Sequence, residues 1–205
     1  MALPDERRIR EVVRQVVEQH LKAPAPASAG GPSAITPMAA SATLGVAGAG
    51  GQRRVAIGAD HGGYGLKQTL AQFVRDELGF EVHDCGTHSG DAVDYPDFAA
   101  AVAREVASGR CAQGIVIDAA GIGSTMAANK IDGVRCALCH NDATALNARL
   151  HNDANLMALG ATIVNRGLAQ RLTRLFLTTK FEGGRHERRV LKIMALEGGR
   201  SLARE

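Results

Sequence analysis

Tryptophan is absent from the 205 residues, and with two tyrosines and five phenylalanines the aromatic share is only 3%. So few aromatics cannot form a platform on which bases stack, and a net charge of +3 is too small to draw a polyanion by itself. Nucleic acid is therefore not an expected partner. Cysteine is scarce too: Cys85, Cys111, Cys136 and Cys139 lack the spacing of a secreted disulfide framework. Cys136 and Cys139 form a C-x-x-C next to His140. However, "VRCALCHND" reads as a buried strand whose side chains three apart point to opposite faces, and no second ligand pair follows at zinc spacing. No metal site is expected, and a reducing, cytoplasmic setting is. No apolar run reaches the roughly 18 residues of a membrane span. The N-terminus has no apolar signal core, and its Asp5, Glu6, Glu11 and Glu18 speak against a transit peptide.

Alanine, valine, leucine and glycine are abundant within a hydrophobic share of 45%, which suits the closely packed aliphatic core of an α/β protein. Composition divides the chain into three parts. In residues 1–22, Ile9, Val12, Val13, Val16, Val17, His20 and Leu21 recur at steps of three and four, giving a helix with one apolar stripe. Residues 23–52 hold no charge and four of the six prolines among Ala, Gly and Ser, the composition of a flexible linker. An amphipathic helix on such a linker wants a partner, either another protein's groove or its own oligomer.

From residue 53 to 205 strand and helix patterns alternate, beginning with "RRVAIGAD", "GLKQTLAQFVRDEL", "FEVHDCG" and "YPDFAAAVAREVAS". This spacing predicts a Rossmann-like, three-layer α/β/α sandwich around a mostly parallel sheet of about five strands. Such sheets bind ligands at the carboxyl ends of their strands. The segments near those ends supply Asp60, His61, Asp118, Gly121, Gly123, Ser124, His140 and Asn141, followed by His151, Asn152, Arg185, His186 and Arg189. All are expected along one sheet edge. Arginines one helical turn apart fit a phosphate, a glycine turn offers N–H groups to a developing enediolate, and a carboxylate or imidazole moves a proton.

The segments "GADHGGYGLK", "DYPDFA", "GIGSTMAANKIDGVR", "HNDANLMALG" and "FEGGRHERRV" together resemble ribose-5-phosphate isomerase B and related sugar-phosphate isomerases over about residues 53–197. The resemblance implies an aldose–ketose isomerase of a phosphorylated sugar, acting through an enediolate without metal or organic cofactor. It also implies a homodimer, or dimer of dimers, with sites at the subunit interface. By position it makes Asp118 the candidate base and His151 the ring-opening histidine. Asp60, His61, Tyr95, Gly121, Gly123, Ser124, Asn152, Arg185 and Arg189 become substrate-binding residues, the two arginines on the phosphate.

Several positions depart from the family pattern. Where many members read Cys-Gly-Thr-Gly, this chain reads Asp118-Ala119-Ala120-Gly121, so that the cysteine base becomes Asp118 and a nearby hydroxyl is lost at Ala120. A second branch carries a glutamate where Ser124 stands, and an arginine common in a G-x-R context is Thr162. A carboxylate in a shielded site can shuttle a proton. The wording also resembles one subunit of the galactose-6-phosphate isomerase pair, which leaves a hexose phosphate or a weakened, sugar-phosphate-binding scaffold as alternatives. Residues 4–22 with their linker resemble the encapsulation peptides of bacterial microcompartment cargo, which implies a shell protein as partner.

Overall fold

The computed structural model describes residues 54–197; the helix and linker expected over 1–52 lie outside the described residues. Five strands form one sheet: β1 (Arg54–Ala59), β2 (Glu81–Asp84), β3 (Gln113–Asp118), β4 (Cys136–Leu138) and β5 (Leu156–Gly160). Six α-helices join and flank them: α1 (Tyr64–Asp76), α2 (Tyr95–Ala107), α3 (Ile122–Ala128), α4 (Asp142–Leu150), α5 (Arg166–Thr178) and α6 (Glu187–Met194). Every pairing is parallel, in the order β2-β1-β3-β5-β4. The expected "mostly parallel" sheet is thus wholly parallel among the described residues.

Alternation along the buried strands builds two cores. Val55, Ile57, Ala59, Ile115, Ile117, Met157 and Leu159 face one layer with Leu70, Val74, Leu172 and Phe176 from α1 and α5 and the alanines of α4. Ala56, Val116, Leu156 and Ala158 face the other, against Ala99, Val102 and Ala103 of α2 and Ala128 of α3. Most of these residues are small or aliphatic, so helices and sheet approach closely with few aromatics, as the composition implied.

Two local expectations are corrected. "VRCALC" does not form a buried strand: β4 has three residues, all half-buried, because it lies at the sheet's edge. Its cysteines do diverge as expected, with Cys139 in the first core and Cys136 packed on the second. Burial raises both thiols to about 12. The C-terminal helix expected from Arg185 instead opens with a 3-10 turn, Gly184–His186, before α6.

Candidate active site

β1 and β3 lie side by side while their chain continuations diverge, leaving a crevice at their carboxyl ends. Asp60 leaves β1 there, and its Oδ1 accepts the Gly63 N–H (2.9 Å). His61 is exposed, with Nδ1 3.2 Å from both the N and O of Val93 in the loop after β2. Lys67, with no exposed surface, ties that loop down by bonding both Asp84 oxygens (2.6 and 2.7 Å) and the Thr87 carbonyl (2.8 Å). Burial alone would raise the Asp84 carboxyl, but the Lys67 ammonium and the Gly86 N–H hold it below its ordinary value.

Asp118 ends β3 and is 5% exposed. Its carboxylate turns into the following bend: Oδ1 accepts the N–H groups of Ala120 (2.8 Å) and Gly121, and Oδ2 accepts that of Ser124 (2.9 Å). Gly121 has φ of +79°, and a Cβ there would lie 2.5 Å from Leu138 Cδ1 and 3.0 Å from the Gly160 backbone. Only glycine fits this tight bend against β5. The amides of Ile122 and Gly123, which open α3, are not bonded to Asp118 and have no partner among the described residues. Tyr95, 40% exposed, lies over this turn: a Cβ on Gly123 would be 2.5 Å from its ring. Ser124 is fully buried and its Oγ lacks a partner among the described residues. Thr162 is exposed, and both its N (3.0 Å) and Oγ1 (2.7 Å) donate to the Ala119 carbonyl.

The remaining residues are elsewhere. His151 caps the C-terminus of α4, which runs back from the carboxyl end of β4, so His151 and Asn152 lie just before β5 begins, at the amino edge of the sheet. Hydrogen bonds agree with this position: the neighbouring Asn155 N–H donates to the carbonyl of Arg135, ahead of β4. Arg135 and Arg149 both bond Asp153 (3.1 and 2.9 Å), fixing this loop. Asn152 Nδ2 donates to the Asn147 carbonyl (3.1 Å) and Oδ1 (2.9 Å).

The Glu182 N–H donates to the Leu150 carbonyl, which brings "FEGGRH" to the same edge. There the ring of His186 stacks on His151, centroids 4.2 Å apart and planes within 5°. Arg185 and Arg189 are exposed beside it. The expectation of one shared edge is therefore corrected. Asp60, His61, Tyr95, Asp118, Gly121, Gly123 and Ser124 gather at the carboxyl edge, whereas His151, Asn152, Arg185 and Arg189 gather at the amino edge. Strands of five or six residues separate the two by about 17–20 Å.

Sequence reasoning passed over Glu182 as a neighbour of His151 and Asn147 as its support. Both were detectable as i,i+4 partners, Glu182 of His186 and Asn147 of His151. Asn141 proves to be the N-cap of α4, joined to Thr144 in a reciprocal capping box.

Residues 55–193 match the family model described as Ribose/Galactose Isomerase. The chain is 40% identical over 149 residues to ribose-5-phosphate isomerase B of Escherichia coli K12, covering 73% of this chain and 99% of that protein. Among solved structures, ribose-5-phosphate isomerase B of Clostridium thermocellum superposes with a TM-score of 0.70 at 47% identity, covering 72% of this chain and 99% of that one. The type B ribose 5-phosphate isomerase of Trypanosoma brucei gives 0.69 at 44% identity, covering 71% and 99%. A match over most of the chain, together with a parallel sheet whose switch crevice carries Asp60 and Asp118, means that this protein belongs to the ribose/galactose isomerase family and is a sugar-phosphate isomerase of the ribose-5-phosphate isomerase B type.

Proposed function

We propose that the chain interconverts ribose 5-phosphate and ribulose 5-phosphate through an enediolate, at a site completed by a second copy of itself. The observation that carries this reading is the division of one chemical set between two sheet edges. The carboxyl edge holds a carboxylate and unbonded amides but no arginine pair. The amino edge holds imidazoles and arginines but, among the described residues, no buried carboxylate. Each edge supplies what the other lacks, and their separation of about 17–20 Å supports completion by a second copy over a meeting within one chain.

In the assembled site Arg185 and Arg189 hold the phosphate, and His151 passes a proton between ring oxygen and anomeric hydroxyl as the sugar opens. Asp118 Oδ1 is filled by two amides, but Oδ2 accepts only one, which leaves it a lone pair for the C2 proton. As that proton leaves, the C2–H electron pair forms the C1=C2 bond and the carbonyl pair moves onto O1, next to the Ile122 and Gly123 amides. The hydroxyl proton moves from O2 to O1, and the proton on Asp118 returns to C1, giving the ketose. Removing a general base of this kind slows turnover by about 10²–10⁴-fold.

The direct test follows ketose formation from ribose 5-phosphate by wild type and Asp118→Asn. Full activity in the variant removes Asp118 from the base role. A second reading draws on the same three amide bonds, which anchor the turn and would suit a sugar-phosphate-binding protein with weakened catalysis. Exchange of the substrate's C2 proton with deuterated water separates the two, since a binding protein shows none. If ribose 5-phosphate is inert while a hexose phosphate exchanges, the substrate assignment changes and the base assignment stands. For residues 4–22 the apolar stripe supports docking on a microcompartment shell protein. Residues 1–52 fused to a fluorescent protein should then gather at the cognate shells, and diffuse fluorescence refutes this.

A further inference from the structure

We propose that His151, Glu182 and His186 form a binding site for a divalent transition cation of the zinc type, and that its occupation stops turnover. Only the second half of this proposal rests on the sugar-phosphate reading. His151 Nε2 lies 3.4 Å and His186 Nε2 4.0 Å from Glu182 Oε2, and one ligand atom from each residue lies within 4.8 Å of the others. Tetrahedral zinc with nitrogen and oxygen ligands at about 2.0–2.1 Å requires ligand atoms about 3.3 Å apart. The His151–Glu182 pair already meets that spacing. The other contacts close by a tilt of the stacked rings and a swing of the Glu182 side chain, which is 58% exposed.

The donor chemistry fits as well. Arg185 Nε donates to His186 Nε2 (3.2 Å), so that nitrogen carries a lone pair instead of a proton. Asn152 Nδ2 donates to Asn147 Oδ1 and so fixes the orientation of that amide, which presents Nδ2 to His151 Nδ1 at 2.9 Å. The His151 proton therefore sits on Nε2, aimed at Glu182. A cation at Nε2 requires the other tautomer: the proton passes through solvent to Nδ1, and the Asn147 amide turns so that its Oδ1 accepts it. Asn147 then serves as the outer partner that orients a metal-bound imidazole.

Two guanidinium groups nearby oppose a dication, and one must give up its bond to His186. Glu182 offsets part of that repulsion, so a reversible site is expected in preference to a permanent one. The half-exposed side of the cluster leaves room for a water as fourth ligand. Bound to His151 Nε2, the cation removes the proton shuttle for ring opening.

The test uses the full, tag-free chain and Co²⁺ as a visible probe. Wild type should develop the intense absorption of tetrahedral Co²⁺ at one ion per chain, displaced by Zn²⁺. Glu182→Gln, on an exposed side chain, should weaken the site at least about tenfold. His186→Asn should abolish the band, with circular dichroism reporting the fold. Zn²⁺ should inhibit wild type reversibly on chelation, with the half-inhibitory concentration raised at least about tenfold in Glu182→Gln. The pale spectrum of free Co²⁺, or an absorption unchanged in Glu182→Gln, overturns the site. A chain inert towards sugar phosphates leaves the absorption to decide, so that failure of the isomerase reading and of the cation site are separately visible.

Discussion

Mixing two inactive variants should restore activity if the site is shared between copies. Asp118→Asn disables the carboxyl edge and His151→Ala the amino edge, and each alone is expected to lose about 10²–10⁴ of turnover. In a mixed dimer one interface joins both defects, while the other joins an intact Asp118 to an intact His151. Random pairing of equal amounts makes half of the dimers mixed, each with one working site of two, so about a quarter of wild-type activity returns. The structural basis is the strand length: β3 has six residues and β5 five, which hold the two edges about 17–20 Å apart within a chain. The assay is ketose formation after the variants are unfolded together and refolded, with each refolded alone as control. In Asp118→Asn the new side-chain amide would aim an NH₂ at the Ser124 N–H that now meets Oδ2, at about 1–3 kcal/mol, so circular dichroism must first show that this variant folds. No recovery from two folded variants would refute the shared site, because a site within one chain leaves every mixed dimer dead.

The other predictions concern the frame that holds the site. Asp84→Asn leaves the fully buried Lys67 without its carboxylate and should cost about 3 kcal/mol, read as a lower urea midpoint. Because the folded Asp84 value lies below the ordinary 3.8, its stabilisation is complete above 3.8 and disappears as pH falls through the lower folded value. Urea midpoints across that acidic range should therefore converge for wild type and Asp84→Asn, and a constant gap would contradict the pairing. Gly121→Ala forces a side chain into the left-handed region and against Leu138 and Gly160, at a cost of about 1–3 kcal/mol from the backbone alone. An unchanged melting temperature in that variant would refute the close packing of this bend against Leu138 and Gly160.

The sheet was legible because β1, β3 and β5 are continuous apolar runs that the core needs on both faces. β4 was harder to read: as a short edge strand, half-buried along its length, it does not need the apolar run that "VRCALC" suggested. The site residues following strands were placed correctly by a simple rule, since a residue just past a parallel strand lies at the carboxyl edge. That rule fails for His151 and Asn152, which follow a helix. In a βαβ unit the helix returns the chain to the amino edge, so "HND" after α4 had to lie opposite "GAD" after β1. "GGRHERR" was misplaced for the same reason, because α5 also runs back from the carboxyl end of β5.

The departures at 118, 120 and 162 are spatially one feature. The Asp118 carboxylate takes the amides of Ala120, Gly121 and Ser124, while Thr162 closes on the Ala119 carbonyl from the other side. The Ala161 N–H completes the closure by donating to the Asp118 carbonyl. A thiol at 118 is a weak acceptor and could not satisfy three backbone donors, so the amides it left free would need a different partner. With a carboxylate there, the turn is held from within, and a hydroxyl at 120 or a long cation at 162 is no longer needed to support it. Residues joined in one hydrogen-bond network do not act additively. For this reason Asp118, Ala120 and Thr162 are better understood as one coupled arrangement than as three separate departures.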